Sequence, residues 1–478
     1  MQTGLEEQLG LYQKRIPIVT RSIKGRFRNF KTAVLVGAYA IFFLLPWLPW
    51  TRADAPAQAV LLDVPGRRFF IFGLTVYPQD IVWLALLLFI AAILLFFVTG
   101  LIGRAFCGYF CFQTLWTDFF VWIERRLQGE RPARMRLYRQ PWNSEKILKL
   151  GGTHALWIAF SFWTALTFVL YFAYAPDLLM RFFQGNAASA AYMTVGILTL
   201  TTYAAAGLMR EQICTYVCPY GRFQSVMYEP QTLAVHYDAA RGESSHGRAV
   251  ARPGLRNLDE RHAKGHGDCV DCNLCVQVCP AGIDIREGLQ YKCISCGLCV
   301  DACNTIMDSF QFPRGLIRYD SESNLAKPAP APPRLHWKRL NILGYGITFT
   351  LMSAYLIYSI ATRSSSDYGV TQIRQPLYVV LSNGDIRNRY QIRITNKSDH
   401  NVLYQIESKD LPEAALDLGN FRQLQLKPGH SALIQASVRL SPERAAHTST
   451  FKLNITPQNR TDAPKIVPVR FDKPEMLP

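Results

Sequence analysis

Five stretches of the chain, at about 32–50, 80–102, 153–175, 187–209 and 339–361, are apolar almost without interruption. Each approaches the roughly 20 residues that a helix needs to cross a bilayer. Beyond residue 361 the pattern changes from long runs to alternation. Tyr378-Val-Val-Leu381, Tyr390-Gln-Ile-Arg-Ile394, Leu403-Tyr-Gln-Ile406, Leu433-Ile-Gln-Ala-Ser-Val438 and Phe451-Lys-Leu-Asn-Ile455 mix apolar and polar positions between turn signals such as Asn383-Gly384 and Pro428-Gly429. This spacing predicts a β-sandwich of about 110 residues without an inter-sheet disulfide. Residues 128–150 and 230–268 are polar and read as surface loops, and Lys327-Pro-Ala-Pro-Ala-Pro-Pro333 reads as a stiff extended linker.

Charge orients these elements. Lys and Arg crowd residues 14–31, with seven, and 104–149, with nine, whereas 51–79 and 176–186 carry three and one. The positive-inside rule therefore puts the N-terminus in the cytoplasm, and five spans put the C-terminal segment outside, in a periplasm if the cell is Gram-negative. The first apolar segment follows a long polar stretch and is full length, so it is expected to stay as an anchor. The net charge of +17 lies beside the spans, where topology explains it, and does not point to nucleic acid. Trp47, Trp50 and Trp337 mark span ends as an interfacial belt does.

All 12 cysteines fall on the predicted cytoplasmic side, where thiols stay reduced, which favours metal ligation over disulfides. Two runs read CxxCxxCxxxC: Cys269, Cys272, Cys275 and Cys279, followed by Pro280, then Cys293, Cys296, Cys299 and Cys303. This is the ligand layout of a bacterial two-cluster ferredoxin, in which each loop lends its last cysteine to the other cluster. The expected quartets are Cys269, Cys272, Cys275 and Cys303 for one [4Fe-4S] cluster, and Cys293, Cys296, Cys299 and Cys279 for the other. Zinc sites normally use paired ligands, and disulfides impose no such double period. The second run departs from the pattern in ending Cys303-Asn304, without proline.

The other four cysteines lie in a repeat. Gly100-Leu101 is followed by Cys107-Gly-Tyr109-Phe-Cys111, and Gly207-Leu208 by Cys214-Thr-Tyr216-Val-Cys218, every position offset by 107. Two helical hairpins related by a pseudo-twofold axis along the membrane normal would bring both pairs together at the inner face. Cysteines four apart on a helix share one face, so each pair offers two soft thiolates that suit Cu(I) or a third metal centre. Against this stands the ordinary role of cysteine as a small core residue. His154 opens the third span on the same side and is a weaker candidate ligand. His246, His262 and His266 read as solvated loop residues, and Met209 and Met227 as packing residues. No hydrolytic constellation, phosphate loop or dinucleotide fingerprint is present, so the ligands support electron transfer.

Several stretches carry a resemblance to a known family: Cys107-Gly-Tyr, Gln113-Thr-Leu-Trp-Thr-Asp118, Arg210-Glu-Gln-Ile-Cys-Thr-Tyr-Val-Cys-Pro219, Arg222-Phe-Gln-Ser225, Tyr237-Asp, Arg241-Gly-Glu243, and Gly267-Asp-Cys through Pro313-Arg-Gly-Leu-Ile-Arg-Tyr319. In this order they resemble the FixG/CcoG/RdxA family of ferredoxin-like membrane proteins that assist assembly of the cbb3-type cytochrome c oxidase. The resemblance implies a bacterial cytoplasmic-membrane protein with two [4Fe-4S] clusters that reduces Cu(II) to Cu(I) for the oxidase copper centre, and an exported immunoglobulin-like domain. It implies cluster ligation by the eight cysteines from Cys269 to Cys303, and copper binding at Cys107/Cys111 and Cys214/Cys218. The family often has Cys-Pro-Gln where this chain has Cys111-Phe112-Gln113, which leaves helix termination there open.

The expected layout is a multi-domain membrane protein. It comprises a cytoplasmic segment (1–31), a four-helix transmembrane region with two CxxxC repeats (32–230), a cytoplasmic two-cluster ferredoxin-like domain (231–326), a Pro-rich linker (327–338), a fifth span (339–361) and a periplasmic Ig-like domain (366–478). Expected partners are the bilayer, a cytoplasmic electron donor, and cbb3-oxidase subunits or copper chaperones and transporters. The rival readings are a quinol-linked electron-transfer subunit serving a periplasmic reductase and a non-enzymatic assembly scaffold.

Overall fold

The computed structural model describes residues 18–52, 55–327, 331–398, 400–458 and 464–474. Residues 1–17 of the expected N-terminal segment, 328–330 of the linker and 475–478 lie outside the described residues. The chain separates into two compact units: residues 1–48, 60–67 and 78–354 form one, and 49–59, 68–77 and 355–478 the other.

Among the described residues, five helices are long and apolar enough to cross a membrane: Arg26–Trp47, Pro78–Ile102, Ser144–Leu170, Ser189–Met209 and Leu340–Ala361. The third begins well before the apolar run at 153 that signals it. Asn143 caps it by accepting from the Lys146 amide at 2.8 Å, and its first turns are polar, so hydropathy misses them. Glycines let the helices approach closely. A Cβ on Gly100 would lie 2.4 Å from Ile342 Cδ1 of the fifth span, and one on Gly207 would lie 2.9 Å from Trp157 of the third.

In the same unit, a small iron–sulfur-type fold is built on an antiparallel pair, Ala234–Tyr237 with Ile317–Asp320, in register Val235 to Tyr319. Its core joins Val235, Ile283, Ile285, Val300, Met307 and Leu316 to several of the cysteines. The first span enters through this fold. The helix Arg26–Leu44 has no side-chain cap of its own. Asp301 supplies one, accepting from the amides of Phe27 at 3.3 Å and Arg28 at 2.8 Å.

The polar stretches expected as surface loops are more ordered than that. Residues 131–139 form a helix whose Arg134 is 1% exposed, and 234–237 form the buried strand. Arg261 is wholly buried because its guanidinium donates to the carbonyls of Ala249, Leu255, Gly267 and Cys269. A five-donor fork folds a polar segment inward when enough carbonyls meet it, a condition that composition does not reveal.

The second unit contains a β-sandwich. One sheet runs Leu416–Asp417, Ser431–Leu440, Ile386–Asn396, Ser366–Gln372, with Val379–Val380 also on Ile386–Asn396; the other runs Gln423–Leu426, Val402–Ser408, Thr450–Pro457, Lys465–Arg470. Alternate residues such as Tyr390, Ile392, Ile394, Tyr404, Val438 and Leu453 fill the core between them.

Candidate metal centres

The two cysteine loops share one backbone design. Asp271 and Asn273 in the first loop, and Ser295 and Gly297 in the second, have positive φ, and a helix follows each: Leu274–Gln277 and Leu298–Phe310. These reversals wrap each loop around a small cavity. Cys269, Cys272, Cys275 and Cys303 line one cavity, whose walls are otherwise mainly apolar. Cys279, Cys293, Cys296 and Cys299 line the other, and Cys275 borders that one as well. The last cysteine of each run therefore faces the other run's cavity.

These walls suit iron–sulfur clusters. Burial pushes Cys275 and Cys293 up to about 11 and Cys279 and Cys303 up to about 12, with neighbouring cysteines adding to the rise at each. Crowded, desolvated thiols of this kind need a cation to become thiolates. Arg286 steadies the first loop, pairing with Asp271 at 2.6 Å and Asp284 at 2.6 Å. The Ser295 amide lies 3.4 Å from Cys293 Sγ.

The four other cysteines sit where the repeated hairpins turn. Cys107 lies in the short helix Ala105–Tyr109, and Cys214 in the π-helical turn Ile213–Val217. Cys111 and Cys218 are extended, at φ −65°, ψ 128° and φ −75°, ψ 111°, and each N-caps a following helix. The expectation that each pair shares one helix face is thus corrected, because the helix breaks at the second cysteine. At Cys218 the break is the one that the following Pro219 predicts. At Cys111 the same break forms without proline, with Thr114 Oγ1 bonding back to Cys107 O at 2.6 Å. The backbone repeat extends to Gly103 (φ 56°, ψ −130°) and Arg210 (φ 47°, ψ −113°), again 107 apart.

Arg210 holds that rare conformation through its surroundings. Its guanidinium pairs with Glu124, which also binds Arg134 at 2.5 Å, and lies 5.3 Å from the Trp157 ring centroid. Gln113 reaches across from the first hairpin to donate to Ala205 O at 2.8 Å and Arg210 O at 3.2 Å. The two pairs consequently feel one another. Burial pushes Cys107 up to about 12, with Cys111, Cys214 and Cys218 contributing, and Cys214 up to about 11, with Cys111 and Cys218 contributing; Arg104 opposes both shifts. Cys107 also donates to Gln224 Oε1 at 3.2 Å.

The first hairpin docks on the second cysteine loop. A Cβ on Gly108 would lie 2.6 Å from Ile294 O and 3.1 Å from Cys296 Cα, and Tyr109 Oη donates to Cys296 O at 2.9 Å. Arg104 donates to the carbonyls of Tyr291 and Gly221, linking that loop to the second hairpin. Among the described residues, no three His, Cys, Asp or Glu side chains are grouped closely enough to hold a single metal ion. His154 is not brought to the cysteines by any such group: its Nδ1 is 3.0 Å from Tyr203 Oη, and its ring stands edge-on to Trp157. His262 is 2.9 Å from Asp268 Oδ1, so it is engaged in the fold while remaining half exposed. Gly108 and Tyr109 stand inside the CxYxC repeat, whereas no sequence signal marks Arg104 for this role.

Comparison with known proteins gives 42% identity over 401 residues to Protein RdxA of Cereibacter sphaeroides, covering 83% of this chain and 83% of that protein. The chain belongs to the FixG/RdxA family. Its similarity to Protein RdxB of the same organism is 41% over 413 residues, and to the Nitrogen fixation protein FixG of Rhizobium meliloti 39% over 436 residues. These cover 85% of this chain in both cases and 85% and 82% of the relatives. Residues 209–322 match a 4Fe-4S dicluster domain, 84–129 a 4Fe-4S binding domain, and 356–472 the Ig-like fold at the C-terminus of FixG. A solved structure of a FixG-related protein from Vibrio parahaemolyticus is 17% identical and covers 23% of this chain and 98% of its own, with a TM-score of 0.20. As a FixG/RdxA-family member with these domains and five apolar helices, the chain is an iron–sulfur membrane protein.

Proposed function

We propose that the protein delivers electrons through two [4Fe-4S] clusters to copper, reducing Cu(II) to Cu(I) for assembly of a cbb3-type cytochrome c oxidase. Cys269, Cys272, Cys275 and Cys303 hold one cluster, and Cys279, Cys293, Cys296 and Cys299 the other. When bound, the clusters supply one-electron transfer at low potential. Cys107, Cys111, Cys214 and Cys218 receive the substrate ion, because paired thiolates favour Cu(I) over Cu(II).

One observation carries this reading: the hairpin bearing Cys107 rests on the second cysteine loop through Gly108 and Tyr109. A metal at the membrane cysteines then lies beside that cluster without an intervening domain. In this proposal the clusters face the cytoplasm, where a soluble donor reduces them. The Ig-like domain lies in the periplasm and meets oxidase subunits or copper-handling proteins, as the charge asymmetry of the loops supports.

The test is anaerobic. The purified protein is reduced, Cu(II) is added, and cluster reoxidation is followed by absorbance while a chelator traps Cu(I). Equal loss of reduced cluster and gain of Cu(I), abolished by Cys214→Ala with Cys218→Ala, is the expected result. Unchanged rates in that variant would remove the pair from the mechanism. Clusters that oxidise with a quinone analogue but not with Cu(II) would instead indicate quinol-linked electron transfer.

A second reading has its own support. The 4Fe-4S binding domain match at 84–129 includes Cys107 and Cys111, which favours a third iron–sulfur centre at the membrane cysteines. Iron analysis separates the two: about eight iron atoms per chain for two clusters, about twelve for three.

A further inference from the structure

A cavity beside the membrane cysteines is cationic. It has Cys214 in its wall and is bordered by Val278 and Pro280 on either side of Cys279. Arg28, Lys31, Arg104, Arg125, Arg210 and Lys292 line it against two acids, Asp118 and Glu211. Asp118 is already held by Arg28 at 2.8 Å and Lys31 at 3.8 Å, and Arg210 shares Glu124 with Arg134.

Three cations make no salt bridge among the described residues, although the charges of Asp118 and Glu130 act on Arg125. Arg104 is buried and spends its guanidinium on two backbone carbonyls. Arg125 donates to Thr20 Oγ1 at 3.2 Å while its Nε is buried without a partner. Lys292 lies 5.7 Å from the Tyr291 ring centroid. Cations left this way at a cavity wall call for an anion. They also repel a bare or amine-bound Cu(II) ion, although the soft thiol of Cys214 waits in the same wall.

We propose that this cavity is the receptor for an anionic, carboxylate-chelated Cu(II) complex, which the basic side chains bind and present to Cys214. This rests on the copper reading above and names its substrate class. Carboxylate oxygens suit Cu(II) and hold Cu(I) poorly, whereas thiolates hold Cu(I) well. The step balances as follows. One electron from a reduced [4Fe-4S] centre converts Cu(II) to Cu(I); the copper–oxygen bonds break, and copper–sulfur bonds form to Cys214 and Cys218. Two thiol protons pass to water, and the free chelate leaves.

The experiment uses the full-length protein in detergent under anaerobic conditions, with Cu(II)–citrate as the anionic probe and bis(ethylenediamine)–Cu(II) as the cationic one. Binding is read first on oxidised protein, without turnover, from the Cu(II) electron paramagnetic resonance of the protein-bound fraction. At low salt the citrate complex should bind at least about tenfold more tightly than the cationic complex, and the preference should shrink as ionic strength rises. Arg125→Gln with Lys292→Gln should remove the preference, Lys292→Arg should keep it, and copper-free citrate should compete.

Equal binding of both complexes, retention of the preference in the double variant, or failure of citrate to compete would each overturn the proposal. If the double variant does not fold, as judged by its cluster absorbance, the salt dependence, citrate competition and the single Lys292→Gln variant carry the test. Reduction rates then separate the two claims. Equal reduction of both complexes leaves copper reduction standing and removes the cavity's role, whereas reduction of neither removes both.

Discussion

Tyr109 Oη donates to the carbonyl of Cys296 at 2.9 Å, with both residues buried. The bond ties a residue two positions after Cys107 to the middle cysteine of the second loop. Beside it, Gly108 permits a backbone approach that any side chain would prevent. Tyr319, from the strand beneath, donates to Ser295 O on the same loop. The membrane hairpin and the iron–sulfur fold are thereby fixed to each other by the loop that faces the second cavity.

Gly108→Ala is expected to disrupt this docking. Its Cβ meets Ile294 O at 2.6 Å, and backbone on both sides cannot yield cheaply. Tyr109→Phe leaves the buried Cys296 O without its donor and should cost about 1–3 kcal/mol. Spectroscopy of the reduced protein checks both: the signal of one cluster should weaken in Gly108→Ala, with a smaller change in Tyr109→Phe. Full and unaltered spectra in both would deny the loop its dependence on the hairpin.

The exchange of ligands between runs has its own signature. Cys279→Ser should damage the same cluster as Cys293→Ser, and Cys303→Ser the same cluster as Cys269→Ser, as the linings of the two cavities require. The residual paramagnetic resonance spectra of the reduced variants should therefore match in those pairs. Matching of Cys279→Ser with Cys269→Ser instead would mean that each run keeps its own fourth ligand.

Glu124 is 2% exposed and faces both Arg134 and Arg210. Glu124→Gln leaves two buried guanidiniums with a neutral partner, and removing one side of such a buried pair costs about 3–5 kcal/mol. A lower thermal midpoint in detergent is expected. Because Arg210 also carries the left-handed turn before Cys214, alkylation of Cys214 should quicken. An unchanged midpoint would show that Glu124 does not hold this turn.

Much of this arrangement is legible in the sequence because cysteine spacing encodes geometry directly. The two runs at Cys269 and Cys293 specify loops that the backbone repeats, down to the left-handed positions at Asn273 and Gly297. The offset of 107 likewise anticipates the matched backbones at Cys111 and Cys218. What spacing does not encode is direction. Arg104, Arg125 and Arg134 belong to a basic stretch that topology explains by number, yet they turn inward toward carbonyls, a cavity and Glu124. Lys292 joins Arg28 at that cavity across most of the first unit, which no local pattern signals. The break at Cys111 was hidden for a related reason: Thr114 bonds back to Cys107 O, where proline would have announced it.

The membrane cysteines should bind Cu(I) in competition with protons. Burial raises Cys107 to about 12 and Cys214 to about 11, so both are thiols at neutral pH. The sign follows directly: below these values each coordinating thiol must release a proton, so affinity increases with pH, by about tenfold per unit for each thiol that ionises. The tenfold per unit that Cys214 contributes continues until the pH nears 11. Competition against a Cu(I) chelator of known pH dependence, between about pH 6.5 and 9.5, measures the slope. A flat profile would mean that these thiols do not take the ion, since protonated thiols this far below their pKa cannot bind it without proton release.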